Sequence, residues 1–284
     1  MYALLSGVFL STGGLLVRFL ADADAWTVLF YRSLAFSVTV TLFMLWRYRG
    51  RFFVKLRQLQ PGDLLLSLFL ALGFVFYLLS LYYTSVANTV LLLSTGPFFA
   101  AVLGKIVLGE VVRRTTWIGM AMAMCGVAIM VSSGVSADDA VGMLFAVVAV
   151  LSYAAMLIVM RSAKDNGGET RELLPATALA GLLAAVLCLP MIQSYSLEPT
   201  EFLISLCFGS LQVGAGFILI TLAAQVVPAA QVALLSLAET ALAPLWVWLV
   251  FAETPDSRTL FGGAIIVTAV LYNGVVALRR FEHK

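Results

Sequence analysis

Apolar residues in this chain come in runs too long for the core-facing stripe of a soluble helix. About 20 consecutive apolar residues are needed to cross a bilayer as a helix. Runs of that order follow one another along the sequence, separated by short polar breaks at residues 22–25, 47–63, 83–88, 110–115, 134–140, 161–172, 193–200, 226–229 and 252–257. The pattern predicts an all-α integral membrane protein of ten spans. The breaks are short, so consecutive spans are expected to be antiparallel neighbours. None is long enough to hold a separate soluble domain.

The positions of the charges orient these spans. Lys and Arg concentrate on the cytoplasmic side of membrane proteins. With the N-terminus placed inside, Arg47, Arg49, Arg51, Lys55, Arg57, Arg113, Arg114, Arg161, Lys164, Arg171, Arg279, Arg280 and Lys284 all fall in cytoplasmic segments, 13 of the 17 basic residues. The opposite loops hold Arg258 and a set of acids: Asp22, Asp24, Asp138, Asp139, Glu198, Glu201 and Asp256. This asymmetry predicts an even number of spans with both termini cytoplasmic. The longest inner link, RYRGRFFVKLRQLQPGD, mixes Phe52, Phe53, Leu56 and Leu59 with five cations. It reads as a topology-setting basic loop, or as a segment lying along the membrane surface.

Composition agrees with a membrane protein. The chain of 284 residues is 62% hydrophobic and 11% charged, with a mean hydropathy of +1.03, whereas soluble domains carry about 25% charged residues. Met1 leads almost directly into an apolar run without a basic stretch before it, so no cleavable signal is expected. Cys125, Cys188 and Cys207 all lie in apolar runs with no CxxC spacing, which reads as small core residues rather than a disulfide or metal framework. No cofactor, metal or nucleic-acid site is expected.

The sequence also repeats itself. NTVLLLSTGPFFAAVLGKIVLGE, residues 88–110, aligns with QVALLSLAETALAPLWVWLVFAE, residues 231–253, so that Glu110 and Glu253 stand 143 residues apart. The same shift carries Gly73 onto Gly216, Ala87 onto Ala230, Ala100 onto Ala243 and Gly119 onto Gly262. Each half then holds five spans, 1–134 and 135–284. Five is odd, so the second half must enter the membrane from the opposite side. Inverted repeats of this kind build secondary transporters, with the substrate site near the midplane between the halves.

The span endings GKIVLGE and LVFAE, the following TTWIGMAMAMCGV and RTLFGGAIIVTAV, and the passage LYYTSVANTVLLLSTGPFFAA together resemble the drug/metabolite transporter superfamily, specifically its EamA-type ten-helix members. The resemblance covers essentially the whole chain. It implies export of a small metabolite, such as an amino acid or related compound, from a central cavity by alternating access, in a bacterial inner membrane. It implies that spans 1, 3, 4, 6, 8 and 9 surround the cavity and that spans 2, 5, 7 and 10 lie toward the periphery. The family often places Glu-Pro together in the middle of spans 4 and 9. Here span 4 has Gly96 before Pro97, and span 9 has Glu239 before Thr240, with Pro244 one turn on.

Glu239 is the first candidate for the path. An ionisable group at bilayer depth is costly and usually faces a cavity or a partner. Such a carboxyl can carry a proton or bind a substrate ammonium; it can also be a structural group bonded to a neighbouring helix. Ser11, Thr12, Ser94, Thr95, Ser152, Tyr153 and Gln212 fall at comparable depth, with Asn88, Gln225 and Gln231 nearer span ends. Buried polar groups in lipid need partners, so these are expected to face inward, either as contacts between helices or as lining of the path. Tyr77, Tyr82, Tyr153 and Trp246 are candidates for an aromatic wall, and Trp248, two residues on, points to another face. Gly96, Pro97 and Pro244 are candidate hinge positions, or static kinks. Arg32, about six residues inside span 2, is expected to snorkel outward and pair with Asp22 or Asp24, the alternative being a carboxylate-binding role. Arg18 and Lys105 are expected to be structural. Gly119, Ala123 and Gly126 form small-residue spacing suited to internal packing or a dimer face, so a monomer or a homodimer is expected.

Two other classes fit less well. A membrane enzyme would need a clustered nucleophile or metal set, and the sequence holds neither HExxH, GxSxG, GxGxxG nor a P-loop; the sole histidine is His283. A passive channel would show a filter or a ring of charges rather than one glutamate.

Overall fold

The computed structural model describes residues 2–20, 23–57, 59–84, 86–132, 140–163, 172–252 and 257–281. Asp22, Asp138, Asp139, Lys164, Arg171, Glu253, Asp256, His283, Lys284 and the boundary expected at 134/135 lie outside the described residues. Among the described residues the regular structure is entirely helical. In chain order the helices are α1 (Tyr2–Leu10), α2 (Gly13–Arg18), α3 (Ala25–Tyr48), α4 (Phe52–Arg57), α5 (Pro61–Tyr83), α6 (Val86–Leu93), α7 (Gly96–Leu108) and α8 (Arg114–Val131). They continue as α9 (Ala140–Ser162), α10 (Leu174–Cys188), α11 (Pro199–Cys207), α12 (Gly216–Ala224), α13 (Ala229–Ser236), α14 (Ala238–Phe251) and α15 (Ser257–Phe281). A π-helical segment, Phe208–Ala215, joins α11 to α12.

Seven stretches among the described residues are long and apolar enough to cross a membrane: Ala25–Arg57, Pro61–Tyr83, Asn88–Leu108, Ala140–Ser162, Leu174–Met191, Pro199–Ala224 and Gln231–Phe251. Shorter apolar helices cover Tyr2–Arg18, Arg114–Met130 and Ser257–Tyr272. Among the described residues the protein is all-helical, with the spans of an integral membrane protein. Its outward surface fits that environment. Leu42, Trp46, Ile106, Leu203, Leu249 and Phe261 are all more than half exposed, which water would penalise and lipid tails do not.

Several loop acids have local work as helix caps. Asp24 caps α3, its Oδ2 accepting from Thr27 N at 2.9 Å and from Thr27 Oγ1 at 2.7 Å. At the start of α5, Gln60 and Asp63 form a reciprocal capping box ahead of Pro61, and Glu198 with Glu201 does the same ahead of α11. These contacts satisfy N–H groups that a helix start leaves unpaired. The basic link forms α4, whose Phe53 is 70% exposed beside Lys55 and Arg57.

Packing is tightest where side chains are smallest. A Cβ on Gly262 would fall 2.4 Å from the Gly126 carbonyl, and one on Gly126 would fall 2.7 Å from the Gly262 carbonyl. The small-residue stripe of α8 is therefore an internal face against α15, not a surface left open for a second copy. Deeper in, Phe36 of α3, Phe74 of α5 and Phe217 of α12 meet edge to face, with centroids 5.0, 5.1 and 6.1 Å apart. This arrangement suits the ring quadrupole and locks three helices together. The cysteines divide differently from the expectation. Cys188 is buried, but Cys125 and Cys207 are exposed. In a membrane helix an apolar position faces lipid as readily as it faces protein.

Candidate functional site

A cavity of about 170 Å³ lies inside the helix assembly. Its wall draws on Leu10 at the end of α1, Arg32 of α3, Phe69, Gly73, Phe74 and Tyr77 of α5, and Ser94, Gly96 and Pro97 at the α6–α7 junction. Opposite elements supply Tyr153 and Met156 of α9, Gln212 and Val213 of the π segment, Phe217 of α12, and Ser236, Leu237, Glu239 and Thr240 at the α13–α14 junction.

Interrupted helices surround this space. At the α1–α2 break, Ser11 Oγ donates to Val8 O at 2.7 Å and Thr12 Oγ1 to Phe9 O at 2.8 Å. At the α6–α7 break, Ser94 Oγ donates to Leu91 O at 2.6 Å, and Thr95 Oγ1 turns back on Leu92 O. Hydroxyls of this kind offer helix carbonyls an alternative to the backbone ladder, and Pro97 removes an N–H that would have continued it. Both breaks fall at a Ser-Thr pair. The third break falls at Leu237, whose N–H pairs with Leu234 O at 3.1 Å. Pro244 is not its cause, because α14 runs on through residue 244. Broken backbone at membrane depth is tolerated where it lines a cavity.

The break at Leu237 determines where Glu239 sits. Instead of lying mid-helix, it falls in the first turn of α14, in the cavity wall. Gly7 of α1 packs against this turn, with a Cβ position 3.6 Å from Glu239 N. Tyr77 lines the cavity together with Glu239 and Arg32. Tyr153 donates its hydroxyl to Ser236 Oγ at 3.1 Å. Gln212 Nε2 donates to Leu10 O at 2.8 Å, tying the end of α1 to the π segment, while its buried Oε1 has no partner among the described residues. Gln212 lies within the π segment and lines the cavity; such insertions frequently mark functional positions.

Among the sequence candidates, Glu239, Ser94, Tyr77, Tyr153, Gln212, Gly96 and Pro97 come together on the cavity wall. Others do not. Trp246 Nε1 donates to Ser11 Oγ at 2.7 Å, so these two hold each other at the α1–α2 break, away from the lining. Ser152 is buried between helices. Tyr82 is 45% exposed and donates to Ala23 O at 3.3 Å. Trp248 faces outward.

Arg32 is the residue that the sequence pointed the wrong way. It does not snorkel toward Asp24, which is engaged with Thr27. It is 3% exposed and lies in the cavity wall. Its guanidinium carbon is 5.3 Å from the Phe74 ring centroid and 4.7 Å from that of Phe208. Gly209 allows this: a Cβ there would fall 2.1 Å from Arg32 O, so only glycine lets the π segment press against α3 at this level. A lone Arg between Tyr31 and Ser33 in a second span carried no signal that distinguished inward from outward.

The sequence model of the EamA-like transporter family matches residues 1–132 and 140–275. The chain belongs to the EamA-like transporter family. Membership places it among multi-pass membrane transporters of small molecules rather than among enzymes. Over 178 residues the chain is 24% identical to a protein of Rickettsia prowazekii (strain Madrid E) described as an S-adenosylmethionine uptake transporter, covering 62% of this chain and 58% of that one. The matched region thus spans little more than half of the curated relative. This EamA-like chain also superposes on a solved crystal structure with a TM-score of 0.81 at 18% identity, covering 97% of both chains, a likeness of fold.

Proposed function

We propose that this EamA-like transporter is a secondary transporter that carries a small organic solute, such as an amino acid or related compound, through the central cavity by alternating access. The observation that carries the proposal is the cavity itself, walled by interrupted helices from both halves of the chain. Glu239, Tyr77, Tyr153, Ser94 and Gln212 are its proposed path residues, and Gly96 with Pro97 its proposed hinge.

The proposed architecture is ten spans in two inverted five-span units, 1–134 and 135–284, with both termini cytoplasmic in a bacterial inner membrane. Seven full spans and three shorter apolar helices support the count. Two further coincidences support the repeat. The interruptions at Ser94 and Leu237 stand 143 residues apart, as do the left-handed helix ends at Gly109 (φ 66°) and Ala252 (φ 55°). The helix pairings also map onto themselves when the halves are exchanged: α5 on α9 matches α12 on α1, and α5 on α10 matches the π segment on α3.

Export is the direction implied by the family resemblance; the uptake ascribed to the Rickettsia relative is the alternative. Counterflow in proteoliposomes of known orientation tests both statements. Saturable exchange that labelled and unlabelled solute compete for is expected, with export as its net direction. Linear, non-saturating flux would instead indicate a passive channel. Net uptake would reverse the proposed direction while leaving the transporter intact.

A further inference from the structure

Arg32 presents an unsolved physical problem. A guanidinium stays charged in proteins and carries five N–H donors in a planar fork. Burying such a charge is costly unless it is paired and hydrogen-bonded. Phe74 and Phe208 approach the guanidinium of Arg32, and their ring faces attract the cation. Rings engage the cation but do not accept its edge N–H groups. Among the described residues the buried Nη1 atom has no hydrogen-bond partner and no carboxylate pairs with Arg32. The side chain nevertheless lines the cavity. Across the same space Gln212 leaves Oε1 without a partner. The site thus holds an unused cationic donor, an unused neutral acceptor, and aromatic walls from Phe74, Tyr77, Tyr153 and Phe217.

We propose that Arg32 is the oxyanion-binding group of this cavity, and that the solute carries a carboxylate or phosphate that docks on its guanidinium fork. The proposal rests on the cavity being the transport path. The fork of an arginine matches the two oxygens of a carboxylate or phosphate, and such charge-assisted bonds are roughly twice as strong as neutral ones. The Gln212 carbonyl oxygen then accepts from a donor elsewhere on the same ligand, which makes the preferred solute one with an N–H or O–H group beside its oxyanion. The neighbouring rings favour an apolar or aromatic body.

Purified protein and four probes test this by ligand-induced thermal stabilisation, since a ligand that binds the native state raises apparent stability. The probes are L-phenylalanine, L-phenylalaninamide, 3-phenylpropionate and phenyl phosphate. Saturable stabilisation by the carboxylates, or by the phosphate, with little or none by the amide, is the expected result, and which of them protects identifies the oxyanion. Arg32→Gln should weaken the protecting probe by at least about tenfold. Arg32→Lys should recover part of that loss, because an ammonium keeps the charge without the fork. Equal protection by L-phenylalanine and its amide, unchanged affinity in a folded Arg32→Gln protein, or no protection by any oxyanion probe each overturns the proposal. If Arg32→Gln does not fold, the acid-against-amide comparison in the wild-type protein still decides. Counterflow separates the two levels: oxyanion binding without saturable transport retains the site and removes the transporter, and saturable transport of the amide as fast as of the acid does the reverse.

Discussion

At the residue scale, the polar groups of this protein divide into those that face the cavity and those that hold its walls. Glu239 belongs to the first group. Glu239→Gln keeps size and hydrogen-bonding capacity but removes the ionisable proton. It is expected to slow transport in proteoliposomes more than it lowers expression, and to flatten the dependence of rate on pH. Wild-type rates and pH response in a well-folded Gln variant would reduce the carboxyl to a structural group. Trp246 and Ser11 belong to the second group. Trp246→Phe removes the N–H that reaches Ser11 Oγ, and a hydrogen bond of this kind contributes about 1 kcal/mol. Melting in detergent should show that loss, and the Ser11→Ala, Trp246→Phe double variant should lose less than the sum of the singles. Glu239, Tyr77, Tyr153 and Gln212 were legible in the sequence because a polar group in an apolar run has few places to go. Arg32 was not, since an arginine within reach of the span's end can snorkel or turn inward and only its neighbours decide.

At the element scale, the breaks and the crossing of α8 with α15 matter most. The Ser-Thr pairs at positions 11–12 and 94–95 were visible in the sequence as polar residues in apolar spans. Their effect on the backbone became clear only from the carbonyls that they engage. The break at Leu237 follows a single hydroxyl, Ser236, whose Oγ donates to Val232 O at 3.0 Å, and it brings Glu239 to a helix start. The crossing of α8 with α15 depends on the absence of side chains. Gly262→Ala puts a methyl 2.4 Å from the Gly126 carbonyl, and the neighbour is backbone that cannot step aside. Gel filtration of the variant should show loss of the folded, monodisperse species. Gly14→Ala is the matched control, since nothing lies within 4 Å of its Cβ position. That exchange inside α2 is expected to be neutral or to stabilise by up to about 1 kcal/mol.

At the scale of the whole molecule, elements from different parts of the chain meet at the ends of the cavity helices. Arg161 at the end of α9 donates Nε to Glu110 Oε1 at 2.8 Å, and its Nη1 donates to Gln225 O at 2.9 Å. This cluster ties the ends of α7, α9 and α12. The side chains of the pair are 29% and 21% exposed, and solvent screening limits the worth of such a pair to about 1 kcal/mol. Its larger effect should be on movement between the halves. Glu110→Gln is expected to change the rate of solute exchange while leaving the melting temperature nearly unmoved. A large drop in melting temperature with an unchanged exchange rate would make the cluster a structural tie only.

Length and spacing of apolar runs determined, without any coordinates, that the chain is an integral membrane protein of many helices. Hydropathy reports the solvent around a segment, and a bilayer demands long apolar helices wherever the chain crosses it. The ordered motifs were enough to indicate the family. What only the tertiary structure decided is direction around each helix axis. Lipid and protein interior are equally apolar, so the hydrophobic pattern carries no periodic mark of which face looks inward. Arg32 therefore entered the cavity, Ser11 and Trp246 left its lining for each other, and Cys125 turned outward, all through contacts with helices far away in sequence.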